Sequence, residues 1–240
     1  MNFSKKYGQV FLRNLNIARK EIELLDLLKG ENVLEIGPGH GILTSLLMEH
    51  DVNLTVIEPD HRFYNELTSR FSGPNFNAIK ESFLNIKPGY YDKIIGNIPY
   101  NISSKIIFKL YDFDFKIAVL MVQKEFADRL VANPGNKNYS RLSASAKLRF
   151  DINKIMDVSR RNFSPVPEID SSIITLKKNN KDIICNPDDI IKIAFSMRRK
   201  KISSIFNYKG PLGDKRPEEL SPEDFIDLCC YLFPERCQDS

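Results

Sequence analysis

The sequence predicts an α/β protein in which a mostly parallel sheet carries an antiparallel hairpin at one edge, followed by a small all-helical domain. Apolar runs alternate with segments of helical periodicity through most of the chain. The runs are continuous rather than alternating, which is typical of parallel strands covered on both faces. Beyond a polar stretch at 177–181 only helical patterns follow. We therefore predict two domains, 1–180 and 181–240.

The individual elements follow from the apolar runs and the turns that close them. Strands are predicted at 32–36, 54–58, 76–79, 93–97 and 117–122, with helices over 42–50 and 60–71 between them. Segments 152–158 and 171–176 are separated only by a loop, which favours the antiparallel hairpin. Helices of the second domain are predicted at 188–197, 200–206 and 221–232. Ser221 and Pro222 form a good start for the last of these.

Composition removes several classes of protein. The chain has 240 residues, of which 42% are hydrophobic and 28% charged, as in a folded domain rather than a disordered one. No apolar run approaches the roughly 18–20 residues of a membrane span, and no hydrophobic signal core opens the chain. We expect a cytoplasmic protein without membrane contact. Four cysteines in the last quarter lack C-x-x-C spacing and the three histidines lack ligand spacing, so no metal is expected.

Basic residues are concentrated in three blocks, although the net charge is only +4. The blocks are residues 1–20, which include Lys5 and Lys6, residues 116–161 and residues 190–213, whereas 214–240 is acidic. Each block alone would favour a solvated surface. Together they indicate a surface that faces a polyanion, provided that folding brings them to one side.

A nucleoside-type pocket is predicted where two strands end. The segment 35–41 reads Glu-Ile-Gly-Pro-Gly-His-Gly, and its glycines allow a tight turn and close approach of a ligand. Glu58 ends the next strand, where a carboxylate can accept hydrogen bonds from both hydroxyls of a ribose. Glu81 follows the third strand and could accept from an adenine amino group. A surface acid is an equally good interpretation of Glu81.

The sequence Asn-Ile-Pro-Tyr at 97–100 ends the fourth strand. An adenine amino group is a poor nucleophile because its lone pair is delocalised into the ring. The Asn97 side-chain oxygen and the Ile98 carbonyl could accept its hydrogens and free that lone pair. Pro99 fixes the backbone, and Tyr100 offers a stacking face for a base.

Five motifs in this order resemble the S-adenosylmethionine-dependent rRNA adenine N6,N6-dimethyltransferases, and the chain is most similar to the KsgA-type branch. The resemblance runs from about residue 4 to 232. It rests on Gly-Gln-Val-Phe-Leu at 8–12, Glu-Ile-Gly-Pro-Gly-His-Gly at 35–41, Val-Ile-Glu at 56–58, Asn-Ile-Pro-Tyr at 97–100 and Phe-Ser-Pro-Val-Pro-Glu-Ile-Asp-Ser at 163–171. It implies a Rossmann-like class I methyltransferase sheet.

The resemblance also implies roles for individual residues. The cofactor-binding set would be Val10, Leu12, Gly37, Gly39, Glu58, Glu81 and Asn97, and the catalytic set Asn97, Ile98, Pro99, Tyr100 and Phe163. Phe163, in a proline-flanked loop, would be exposed and stack on the second face of the base, the alternative being a core aromatic. Two positions depart from the family, which usually has Asn at Val10 and Asp at Glu81. We expect altered cofactor affinity rather than lost activity.

The implied function is dimethylation of two adjacent adenosines near the 3′ end of small-subunit rRNA in late small-subunit biogenesis. The partner would be this rRNA or a pre-30S-type particle, bound by a monomer. Arg141, Lys147, Arg198 and Arg199 are candidate phosphate contacts. Two alternatives stay open: a large-subunit rRNA or DNA adenine methyltransferase, and a non-catalytic ribosome-assembly factor that binds RNA.

Overall fold

The computed structural model describes residues 10–179, 181 and 183–237. The predicted motif residues Gly8 and Gln9, and Lys5 and Lys6 of the first basic block, lie outside the described residues. Within the described part, the chain forms two compact units, one of residues 10–127 and 152–178 and one of 128–151, 179, 181 and 183–237. No helix of the described residues is both long and apolar enough to cross a membrane.

A seven-stranded sheet forms the centre of the first unit. Its strands are β2 (Asn32–Ile36), β3 (Asn53–Ile57), β4 (Phe76–Ile79), β5 (Tyr90–Asn97), β6 (Asp114–Gln123), β7 (Phe150–Val158) and β9 (Ser171–Lys178), in the order β4-β3-β2-β5-β6-β9-β7. The pairs from β4 through β6 are parallel, and β9 is antiparallel to β6. The predicted parallel sheet with an antiparallel edge is therefore confirmed.

Strand order reverses between β2 and β5, because β3 and β4 lie on one side of β2 whereas β5 and β6 lie on the other. In open α/β sheets, ligands bind at such a switch point, outside the carboxyl ends of the strands. The register aligns Ile36 with Ile57 and Asn97 with Met121. The turns after β2 and β3 and the end of β5 therefore meet at one edge of the sheet.

Helices of the first unit are α1 (Leu15–Glu23), α2 (Ile42–Leu47), α3 (His61–Arg70) and α4 (Ser103–Lys109). The sequence did not predict α1, although Asn14 caps it by accepting hydrogen bonds from the backbone N–H groups of Asn16 and Ile17. Asp60 caps α3 in the same way through the N–H of Arg62. This helix begins within one residue of the predicted start.

A second, two-stranded sheet joins the beginning of the chain to its middle. The short strands β1 (Phe11–Leu12) and β8 (Phe163–Ser164) are antiparallel, and Leu12 lies opposite Phe163. No local pattern predicts this pairing of residues about 150 positions apart. It brings the first and last motifs of the chain together.

The second unit is all-helical except at the start of β7. Its helices are α6 (Arg141–Arg149), α7 (Asp188–Ser196), α8 (Ile202–Phe206) and α9 (Pro222–Leu232), and α5 (Lys124–Val131) enters it from the first unit. The predicted start of the last helix is confirmed, because the Ser221 hydroxyl accepts from the N–H of Asp224 with Pro222 following. A predicted division at 180 leaves out 128–151, which packs here because Leu148 and Tyr139 share one apolar core with Ile191 and Phe225.

Candidate active site

A cavity of about 560 Å³ lies in the first unit at the carboxyl ends of β2 to β5. Every residue predicted for the site lines it: Val10, Leu12, Gly37, Gly39, Glu58, Glu81, Asn97, Ile98, Pro99, Tyr100 and Phe163. The parallel strands place the residues that follow them, and the β1–β8 pairing adds Val10, Leu12 and Phe163. The fold thus brings all the predicted residues around one space.

The turn after β2 needs glycine for two different reasons. Gly37 and Gly39 have φ of 67° and 54°, a region that favours glycine. A Cβ on Gly39 would lie 2.7 Å from Cε1 of Phe11, whereas a Cβ on Gly37 would meet no atom within 4 Å. The backbone at Gly37 is therefore open to close approach by a ligand, and Gly39 allows Phe11 of β1 to cover the turn.

Glu58, a predicted acid of the cavity, is only 4% exposed. Its Oε2 accepts a hydrogen bond from the N–H of Gly39 at 3.1 Å, and its Oε1 accepts from the N–H of Asp60 at 2.8 Å. Burial raises the pKa of Glu58, and the two backbone donors oppose the rise. Each oxygen keeps a second lone pair, so the carboxylate can also accept from ligand hydroxyls.

Glu81 is exposed on the wall of the cavity. Its Oε1 accepts from the N–H of Ser82 at 2.7 Å and from Nδ2 of Asn85 at 2.9 Å. These two bonds lower the pKa of Glu81. Glutamate is longer than the usual Asp at this position, and the bonds of Oε1 to Ser82 and Asn85 fix its carboxylate to the turn that follows β4.

Asn97 carries a buried acceptor without a partner. Its Oδ1 accepts no hydrogen bond from any group in the described residues 10–179, 181 and 183–237. A buried unpaired acceptor costs about 1–3 kcal/mol, and Asn97 is one of the residues that line the cavity, as is typical of a functional position. Next to it, the N–H of Ile98 donates to the carbonyl of Met121 at 2.9 Å and ties the motif to β6.

The two predicted stacking residues differ in exposure. Tyr100 is half-buried, and its hydroxyl is 2.8 Å from Oγ of Ser171, which holds the ring in place. Phe163 is only 5% exposed and packs in the core with Leu12 and Ile173. The expectation of an exposed Phe163 ring is wrong, because β8 pairs with β1 and buries it. The ring nevertheless forms part of the cavity wall.

Two buried acids near the site were not predicted as functional residues. Glu35 is 1% exposed and accepts from the Thr44 hydroxyl at 2.7 Å. Burial raises the pKa of Glu35 to about 8; the Thr44 bond opposes this, and the charge of Glu58 adds to it. Burial also raises the pKa of Glu21 on α1, which the Asn97 side chain partly offsets. Glu35 lies inside an apolar strand, so its sequence context gave no sign of a functional acid. Glu21 was missed because α1 was not predicted.

The candidate RNA contacts Arg141, Lys147, Arg198 and Arg199 all belong to the second unit. Nζ of Lys147 donates to the carbonyl of Val131 at 2.9 Å, and Nε of Arg198 is 2.5 Å from a carboxylate oxygen of Glu218. These two cations therefore have partners within the unit. Arg199 is exposed.

Comparison with known proteins decides the family. Residues 1–221 match the family described as ribosomal RNA adenine dimethylase. The chain belongs to the ribosomal RNA adenine dimethylase family. Membership makes it an rRNA adenine dimethyltransferase, whose methyl donor is S-adenosylmethionine.

Individual members of the family and related structures agree over almost the whole chain. The ribosomal RNA small subunit methyltransferase A of Parabacteroides distasonis is 37% identical, covering 93% of this chain and 91% of that protein. A dimethyladenosine transferase from Plasmodium falciparum has a TM-score of 0.84 and 30% identity, covering 94% of this chain and 98% of its own. The 23S rRNA methyltransferase ErmE has a TM-score of 0.74 and 25% identity, covering 95% of this chain and 100% of its own.

The cavity has the groups that the donor of the dimethylase family requires. The open backbone at Gly37 leaves room that a Cβ would fill, and buried Glu58 retains free lone pairs for hydroxyl groups. Apolar walls come from Leu12, Val10 and Phe163. The residues present therefore fit a nucleoside that carries a charged, partly apolar tail.

Proposed function

We propose that this protein dimethylates N6 of two adjacent adenosines near the 3′ end of small-subunit rRNA during late small-subunit biogenesis. The observation that carries the proposal is that Asn97 lines the cavity and has a side-chain amide oxygen without a partner among the described residues. A small turn of this amide would let the oxygen accept a hydrogen bond from an amino group in the cavity. The choice of small-subunit rRNA is supported by the 37% identical relative, which is named a small subunit methyltransferase.

Asn97 prepares the acceptor nitrogen. Its Oδ1 accepts one hydrogen of the target amine while the carbonyl of Ile98 accepts the other, which draws the nitrogen toward tetrahedral geometry. This localises the lone pair that attacks carbon. When bound, S-adenosylmethionine supplies the electrophilic methyl group. Because the methylated nitrogen is acidic, its proton passes to solvent without a dedicated base.

Other cavity residues position the two reactants. Tyr100 stacks on the target base, held by Ser171, and Phe163 closes the opposite side of the base from its place in the wall. Pro99 fixes the backbone between Ile98 and Tyr100. Glu58 holds the ribose of the donor and Glu81 its adenine, with Val10, Leu12, Gly37 and Gly39 completing the binding surface. The target adenosine must leave its stack to enter.

The partner in this proposal is small-subunit rRNA within a pre-30S-type particle, bound in the cytoplasm by a monomer. The unit of residues 10–127 and 152–178 carries the donor site, and the unit of 128–151, 179, 181 and 183–237 binds RNA. Exposed Arg199 and its basic neighbours Lys200 and Lys201 support the second assignment, because they can contact phosphates.

The experiment compares methyl transfer to three substrates: under-methylated small subunits, protein-free small-subunit rRNA and large-subunit rRNA. Mass spectrometry of the digested RNA locates the product. We expect N6,N6-dimethyladenosine at two adjacent positions near the 3′ end of small-subunit rRNA, with faster transfer to the particle than to protein-free rRNA. Faster transfer to large-subunit rRNA would contradict the proposal, and transfer only to free rRNA would remove the particle as partner.

A further inference from the structure

All four cysteines of the chain converge in the second unit. Cys185 precedes α7, Cys229 and Cys230 lie near the end of α9, and Cys237 closes the turn Pro234–Cys237. The Sγ atoms of Cys185, Cys230 and Cys237 all lie within 4.8 Å of one another. Cys229 joins this group because it forms a disulfide with Cys185. Three separate segments of chain therefore deliver four sulfur atoms to one place.

A disulfide accounts for only half of this arrangement. It uses Cys185 and Cys229 and leaves Cys230 and Cys237 as free thiols directly beside it. Disulfides are rare where cells keep thiols reduced, and clustered cysteines in such compartments more often bind metal. An enzyme that modifies rRNA works in a reducing compartment, so this step rests on the proposed function.

The spacing suits a tetrahedral thiolate site. Four sulfurs bound to zinc at about 2.3 Å lie about 3.8 Å apart, so the sulfurs of Cys185, Cys230 and Cys237, already within 4.8 Å of one another, need shifts of only about 1 Å. The Cys229 sulfur is bonded to Cys185 and separates from it when the disulfide is reduced. Thiolate sets of this kind select zinc and other soft metals over Mg²⁺ or Ca²⁺. The expectation of no metal came from spacing along the sequence, where Cys185 stands 44 residues from Cys229.

We propose that Cys185, Cys229, Cys230 and Cys237 bind one zinc ion in the reduced protein. Two molecules of a low-molecular-weight thiol of the glutathione class reduce the Cys185–Cys229 disulfide, supplying two electrons and two protons, and join as their own disulfide. Zinc then replaces the thiol protons, which pass to solvent.

The ion would fasten the end of the second unit to its core. Cys185 and Cys229 are buried beside Ile190 and Phe225, whereas Cys230 and Cys237 are half-buried near the end of the described chain. Binding at all four positions links α9 and the turn after it to the loop before α7. Because a structural zinc site adds its binding free energy to folding, the metal should stabilise this unit.

The test uses the full chain, purified under thiol reductant without chelator and analysed for zinc by mass spectrometry of the metal. We expect one zinc per chain, and after exchange to cobalt we expect the visible bands of tetrahedral thiolate coordination. Cys237→Ser should lower the zinc content and the melting temperature together. Ser204→Ala, at an exposed position of α8 in the same unit, is the control and should leave the zinc content at one per chain and the melting temperature unchanged.

Two results would overturn the proposal. One is a metal-free reduced protein in which all four thiols react with a thiol reagent after denaturation. The other is a zinc content that Cys237→Ser leaves unchanged, which indicates adventitious metal. If Cys237→Ser does not fold, the cobalt spectrum of the unaltered chain decides alone. Methyl transfer is measured separately, so loss of the zinc proposal and loss of the proposed function are distinguishable.

Discussion

Polar groups at the amino ends of the parallel strands differ from those at the carboxyl ends in how many partners they have within the protein. At the amino edge, Nζ of Lys116 lies 2.7 Å from Asp92 and 3.2 Å from Glu31, and Lys93 lies 3.7 Å from Glu31. Asp92 also accepts from the N–H of Asn32 at 2.9 Å. Glu31 and Asp92 are 7% and 8% exposed, a little more than Glu35 and Glu58 of the cavity, and each has several partners.

At the carboxyl edge the buried acids have fewer partners, and one buried oxygen has none among the described residues. Oδ1 of Asn97 accepts no hydrogen bond from any described residue. Burial raises the pKa of Glu35 to about 8, whereas Lys116 and the N–H of Asn32 lower the pKa of Asp92 to about 2. The polar groups at the amino edge are paired within the protein, which favours stability. Those at the carboxyl edge keep hydrogen-bonding capacity for a ligand.

The largest expected effect is on donor binding through Glu58→Ala. This change removes an acceptor for two ribose hydroxyls, and hydrogen bonds to a charged group contribute about 1.5–3 kcal/mol each, so affinity for S-adenosylmethionine should fall about 100-fold or more. Isothermal titration measures it. Glu49→Ala, an exposed acid outside the cavity, is the control and should bind normally. Equal affinity of the two variants would show that Glu58 does not hold the donor.

Glu35→Gln should reduce the change in the free energy of unfolding between about pH 5 and about pH 8.5. The folded pKa of Glu35 is raised from the usual 4.5 to about 8, so the unfolded chain ionises first. Stability of the ligand-free protein should therefore fall as pH rises between these values. Glutamine can still accept from Thr44 but does not ionise. Urea unfolding at about pH 5 and about pH 8.5 should show a smaller difference in the variant; an unchanged difference would contradict the burial argument.

Asp92→Asn should reduce the loss of stability on acidification, by a smaller amount than Glu35→Gln changes stability at high pH. The folded pKa of Asp92 is lowered from the usual 3.8 to about 2, so its contribution is present above about pH 4 and is lost as pH falls toward 2. The variant should be less stable than the parent at neutral pH and should lose less on acidification. Thermal unfolding across this range tests it, and methyl transfer at neutral pH should not change. A parallel loss of transfer would mean that the two edges are coupled.

Local sequence predicted the carboxyl edge better than the parts brought to it from afar. The apolar runs ending at Gly37, Glu58 and Asn97 located three walls of the cavity, because parallel strands align their carboxyl ends. Burial of Phe163 could not be predicted, since it depends on pairing with Leu12 across about 150 residues. Glu21 was missed with α1, whose cap Asn14 was not recognised.

The second unit was predicted less completely for the same reason. Its helices at the end of the chain have clear starts, as at Ser221. Membership of α6 depends on contacts such as Leu148 with the core around Phe225, which no local pattern encodes. The meeting of Cys185 with Cys230 and Cys237 likewise arises only when the helices pack.

The most direct test of the central claim is methyl transfer by Asn97→Ala to under-methylated small subunits. If Oδ1 of Asn97 receives the target amine, the rate constant for transfer should fall about 10²–10³-fold while donor and RNA binding persist. Because the Asn97 side chain also interacts with buried Glu21, the melting temperature of Asn97→Ala is measured to check the fold. Asn65→Ala on the exposed face of α3 should transfer normally. Transfer by Asn97→Ala at the rate of Asn65→Ala would contradict the account.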